Sequence, residues 1–151
     1  MLVGCSFGGT SWSCAQQADI ARELAAAEVF RQVSTFADPI SAHTSTACDE
    51  GSGGAMVTAS GTYALKEALA GMSLRAAGTA VTGTAGWQSI AEIGSGDPGS
   101  GGTSLVCYRS TDSEDPTYLR LHVYGPPTLA AQTFEVELSR AEHDVELCPQ
   151  L

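Results

Sequence analysis

The spacing of apolar positions divides this chain into a helical first part and a strand-rich second half. Residues 15–33 are strong helix formers, with Ile20, Leu24, Ala27 and Phe30 recurring at steps of four, three and three on one face, while Val29 and Val33 fall off it. Asp38 before Pro39 closes this helix, because the residue preceding a proline is driven out of the helical region. Residues 40–54 are rich in Ser, Thr and Gly and read as loop. A strand is predicted over 55–63, through Met56, Val57, Thr58 and Thr62, with Gly61 a candidate bulge. A second helix is predicted over 64–77, where Leu65, Ala68, Leu69, Met72 and Ala76 share a face. Gly71 weakens it by about 1 kcal/mol relative to alanine, and Gly78 suits its end.

Residues 87–93 read as a strand, 94–102 as a mobile loop, 103–109 as the second arm of a hairpin and 111–117 as a polar turn. Over 118–124 the alternation is clean, with Leu119, Leu121 and Val123 on one face and Arg120, His122 and Tyr124 on the other. Residues 133–139 repeat it, Phe134, Val136 and Leu138 inward against Glu135 and Glu137 outward. A period of two with a single apolar face describes a sheet covered on one side. The expected fold class is therefore α+β: a two-layer sandwich, two helices on one face of a mostly antiparallel four-stranded sheet, in the order α-β-α-β-β-β-β or close to it. At 151 residues the chain suits one such domain, taken as 14–151.

Composition narrows the partners. Seventeen acidic against seven basic side chains give a net charge of −10 with no basic cluster, so a nucleic-acid backbone would repel the chain and an anionic membrane would find no basic face on it. No apolar stretch approaches the length of a membrane-spanning helix. Membrane attachment has another route: Leu2, Val3, Gly4 and Cys5 read as the end of a bacterial lipoprotein signal, cut before a cysteine that carries the lipid. On this reading residues 1–5 are the remnant of a signal peptide with Cys5 acylated by diacylglycerol and palmitate, and 6–13 are a Gly/Ser-rich flexible tether. Only four residues precede Cys5, so either the true start lies upstream, or the match is accidental and Met1 begins a cytosolic protein.

Giving Cys5 to the lipid leaves Cys14, Cys48, Cys107 and Cys148, an even number suited to two disulfides in an oxidising compartment. Three pairings are possible. Sequence alone does not choose among them, but Cys48, expected just before one strand, and Cys107, inside another, could meet across a sheet, with Cys14 and Cys148 then tying the ends together. The alternative is four buried thiols in a cytosolic protein. No C-x-x-C or close Cys/His pair suggests a zinc site, and no cofactor is implied.

One family resemblance follows from these residues. The run Cys48-Asp49-Glu50-Gly51-Ser52-Gly53, then a strand, a helix leading to Ala85-Gly86-Trp87, Cys107-Tyr108-Arg109 and the alternating Leu119 to Val123 resemble small uncharacterised secreted lipoproteins of high-GC Gram-positive bacteria. The similarity covers roughly residues 14–139 and departs from the pattern in a longer passage over 74–86. It implies an extracytoplasmic location, lipid-anchored to the outer face of the cell membrane, and brings no activity with it.

Signals for chemistry are sparse. His43, His122 and His143 are candidate bases for a serine or cysteine triad, but no G-x-S-x-G elbow accompanies them and the bland reading is surface histidines. The acidic turn of Asp112, Glu114 and Asp115 lacks the spacing of a calcium loop, and 94–102 lacks the Gly-Lys-Ser/Thr ending of a phosphate loop. Trp12 is expected to pack on the domain or sit at a membrane interface, and Trp87 to belong to the core. The expected function is a non-catalytic envelope module that binds a protein or cell-wall component through its sheet face or loops. The alternatives are an extracytoplasmic small-ligand receptor, which needs a concave pocket, and a hydrolase, which needs a histidine beside a serine.

Overall fold

The computed structural model describes residues 12–50, 56–66, 71–83, 86–98, 100–111, 116–129, 133–141 and 148. Cys5, the proposed signal remnant and most of the tether lie outside them, as do His143 and the acidic turn at 112–115.

Ser13 opens the first helix, α1 (Cys14–Ala25), with reciprocal bonds: its hydroxyl accepts the Gln16 N–H at 3.1 Å, and the Gln16 side chain accepts the Ser13 N–H at 2.7 Å. The helix stops at Ala26 and restarts as α2 (Glu28–Val33) after Ala27, whose backbone is extended. That break resets the helical phase, which is why one continuous face could not be drawn. Gln17, Ala21 and Leu24 are the buried residues of α1, Val29 and Val33 those of α2, while Ile20 and Phe30 are half-buried.

The chain continues through β1 (Ala37–Thr46), a short α3 (Ala47–Glu50), β2 (Met56–Leu65), β3 (Met72–Ser73), α4 (Leu74–Thr82), β4 (Trp87–Ile93), β5 (Thr103–Ser110), β6 (Thr117–Tyr124), β7 (Thr128–Leu129) and β8 (Thr133–Ala141). The class is α+β, as expected. The sheet, however, has six strands and not four, in the order β1-β2-β8-β6-β5-β4 with every neighbouring pair antiparallel. β8 joins a β1–β2 hairpin to a β4–β5–β6 meander. The strand missed outright is β1, read as loop from Ile40 onward. As an edge strand it is exposed from Asp38 to Thr44, so no apolar alternation marks it. Its Pro39 is accommodated at the edge, where the register shifts between Pro39 and Ser41.

The second helix is also displaced. Strand β2 runs to Leu65, and α4 begins at Leu74, capped by the Ser73 hydroxyl that accepts the Ala76 N–H at 3.0 Å. Gly71 therefore lies outside the helix, with φ +95°, and Gly78 lies within it. There a Cβ would stand 2.2 Å from the Tyr108 hydroxyl, so glycine is what lets α4 approach β5. Gly61 makes no bulge: it pairs in register with Ala42 and Val136, and the Tyr63 ring lies over it, 2.8 Å from where a Cβ would be. Residues 94–98 and 100–102 form hydrogen-bonded turns, tied to the sheet by the wholly buried Ser104, whose hydroxyl accepts from Ser95 N–H and donates to the Gly125 carbonyl at 2.6 Å.

The helices lie on one face of the sheet, where Val57, Ala59, Tyr63, Val106, Leu119, Leu121, Val123, Phe134, Val136 and Leu138 form the main core with them. The opposite face carries a smaller cluster of Ile93, Leu105, Cys107, Tyr118 and Cys148. Two disulfides form, Cys14–Cys48 with Cα atoms 5.8 Å apart and Cys107–Cys148 at 6.1 Å. The expected pairing of Cys48 with Cys107 is thus incorrect. Cys48 sits on α3, which returns the chain to the start of α1, whereas Cys107 points away from the helices into the second cluster. Gln17 reinforces the first closure: its amide donates to the Trp12 carbonyl and accepts the Ala47 N–H at 3.0 Å. Trp12 packs half-buried against the core, the first of the two positions expected for it.

Candidate functional site

Helix α1 packs on β1 and β2, and α4 on β5 and β6. At one end of the sheet a cleft of about 620 Å³ remains under the C-terminal end of α1, within the range of small-molecule pockets. Its floor is one row of residues across four strands. Trp87 on β4 pairs with Ser110 on β5, the Thr117 N–H donates to the Ser110 hydroxyl at 2.8 Å, and Thr117 on β6 pairs with Arg140 on β8. Leu24, Ala26 and Ala27 line the opposite wall together with Glu23.

The guanidinium of Arg140 is the fixed charge of this cleft. Its Nε–H and Nη2–H both donate to Thr117 Oγ1, at 3.1 and 3.0 Å, and its Nη1–H reaches a Glu23 carboxylate oxygen at 3.4 Å. The Arg140 side chain is 18% exposed against 65% for Glu23. One end of the ion pair is held by the sheet and the other is solvated. Trp87 packs half-buried against the core and also lines the cleft, so an aromatic side chain and a cation share one opening.

Two other hollows flank the helices. One of about 370 Å³ lies between Phe30 and the β1–β2 hairpin beside Tyr63, whose hydroxyl pKa is raised by burial. The other, about 390 Å³, lies at the start of α4 beside the exposed Arg75–Glu92 pair, 2.9 Å apart. Among the described residues neither contains a fixed buried charge.

The sheet face opposite the helices carries paired charges. Arg120 forms an ion pair with Glu137, the two side chains only 29% and 17% exposed. His122 stands 3.7 Å from Glu135. Burial lowers the pKa of His122, the Glu135 carboxylate opposes the shift, and Arg120 adds to it. Tyr124 is the exposed member, at 76%.

Of the two described histidines, His43 is the one beside a serine. Ser60 Oγ lies 3.3 Å from its Nδ1 and 3.1 Å from its Nε2. Those nitrogens flank one ring carbon and their in-plane lone pairs diverge, so an oxygen nearly equidistant from both is aligned with neither. Among the described residues no carboxylate stands within hydrogen-bond reach of His43, and no group of three His, Cys, Asp or Glu is placed to hold a metal. The pair lacks the aligned base and its orienting partner that nucleophilic catalysis requires.

The sequence reading missed Glu23, Ser110, Thr117 and Arg140, and assigned Trp87 to the core alone. A signal existed for Arg140. Continuing the inward series Phe134, Val136, Leu138 by one step places an arginine on the apolar face, and a charge there requires a partner. Comparison of the chain with protein-family models, with curated proteins and with solved structures found no match.

Proposed function

We propose that this chain is the extracytoplasmic part of a lipid-anchored envelope protein and works as a non-catalytic binding module. The observation that carries the location is the pair of disulfides, since thiols in the bacterial cytoplasm are kept reduced. Cys14–Cys48 closes the start of α1, nine positions after Cys5 in the sequence. The similarity to small secreted lipoproteins of high-GC Gram-positive bacteria points the same way. Metabolic labelling of the native protein with a clickable palmitate analogue tests it. Label on the wild type and none on C5S is expected; an unlabelled wild type contradicts the anchor.

The misaligned Ser60–His43 pair weighs against a hydrolase. An envelope protein or cell-wall partner for the sheet face remains the wider reading, but the cleft above Trp87 and Arg140 favours the small-ligand receptor. It is concave, has a wall of Leu24, Ala26 and Ala27, and contains both the Trp87 indole and a guanidinium held in place by Thr117.

A further inference from the structure

Arg140 has five N–H donors. Thr117 takes two and Glu23 takes one, which leaves two for the cleft among the described residues. The bonds to Thr117 set the plane of the guanidinium in advance, so little side-chain freedom is left to lose when it binds. Glu23 is held differently. Its carboxylate is mostly solvated and meets Arg140 in a single 3.4 Å contact, and exposed pairs of this kind contribute little. A carboxylate thus already occupies the anion position, and weakly. On the neighbouring strands the same row offers Ser110 and the indole of Trp87.

We infer that this cleft binds a carboxylate: Arg140 takes the acid group of a small organic anion whose flat apolar body lies on Trp87, and Glu23 is the displaceable counterion that holds the arginine when the cleft is empty. The inference rests on the small-ligand reading above and names its ligand class. Arginine suits this role because its planar fork matches both oxygens of a carboxylate, which a lysine could not do. The net charge of −10 opposes entry of any anion, so a minimal ligand should bind weakly and lose affinity slowly with added salt, screening acting on repulsion as well as attraction.

The test uses the whole chain, disulfides intact, and sodium benzoate as probe, followed by NMR at the Trp87 indole N–H and the Arg140 Nε–H. Saturable shifts at both are expected with a Kd of about 1 mM, the scale for so few heavy atoms. Benzamide, of the same shape without the charge, should bind at least about tenfold more weakly. E23Q should tighten benzoate about twofold to fivefold, because a competitor for Arg140 has been removed. R140Q should abolish it; should R140Q not fold, R140K keeps the charge without the fork and should weaken it at least about fivefold. N-acetyl-phenylalanine separates two sources of the same group: binding tighter than benzoate assigns the end of a peptide, weaker binding a free acid. Equal affinity for benzamide, unchanged affinity in E23Q, or no shift by about 20 mM benzoate would each overturn the inference. None of these bears on the anchor, which fails only if the palmitate label is absent.

Discussion

Replacing Gly78 by alanine sets two known effects against each other. Alanine favours a helix over glycine by about 1 kcal/mol, and Gly78 sits inside α4, so propensity alone makes G78A a stabilising change. Packing opposes it. The new Cβ would lie 2.2 Å from the Tyr108 hydroxyl, 2.9 Å from its Cζ and 3.0 Å from its Cε2, and Tyr108 is buried in the main core. Neither the ring nor the helix can yield without disturbing neighbours, and overpacking of this kind costs about 1–3 kcal/mol. The contact distances place this site at the upper end, for a net loss of about 1–2 kcal/mol. In a domain of this size that is a fall in Tm of about 3–6 °C. Thermal and urea unfolding followed by circular dichroism measure it. G78A/Y108F is the control: it removes the oxygen at the shortest contact and leaves the one at Cζ, so the cycle should show a favourable coupling of at least about 0.5 kcal/mol. If G78A proves as stable as the parent or more so, helix propensity has won and the close approach of α4 to β5 is misjudged.

The two disulfides should differ in reactivity. Cys14 and Cys48 are exposed, whereas Cys107 and Cys148 are buried, so mild reductant followed by alkylation should label the first pair before the second; simultaneous labelling contradicts this. Replacing Cys107 and Cys148 together by alanine should cost about 2–4 kcal/mol by urea unfolding, the scale for a loop closed over a separation of 41 residues. His122 contributes to pH dependence through its lowered pKa. The unfolded chain takes up this proton first on acidification, so stability is full above the ordinary value of 6.5, is lost between 6.5 and the lower folded value, and falls no further from this group below it. H122Q should flatten the difference in urea midpoint between about pH 7.5 and about pH 5; an unchanged slope refutes the assignment.

What could be read from the sequence followed what water sees. β6 and β8 were found because one face of each is buried and the other is not, and the end of β4 because a Gly-rich run follows it from Gly94. β1 escaped detection for the same reason in reverse: solvent reaches most of its side chains, so its order comes from backbone pairing with β2, which leaves no mark on side-chain pattern. α4 was misplaced because Gly78 looks like a helix end until the Tyr108 ring beneath it is known. In the site, Trp87 and Arg140 are far apart in sequence and come to line one cleft only through the register of four strands, which one-dimensional spacing does not carry. The cysteine pairing failed likewise, through the unseen α3 that returns Cys48 to α1.

The central claim is a covalent arrangement, and peptide mapping of the protein from its native cells, with thiols blocked at lysis, reads it directly. The account predicts two crosslinked fragments, Cys14 with Cys48 and Cys107 with Cys148, and an N-terminal fragment whose Cys5 carries acyl chains. Four blocked thiols on an unacylated chain would contradict it.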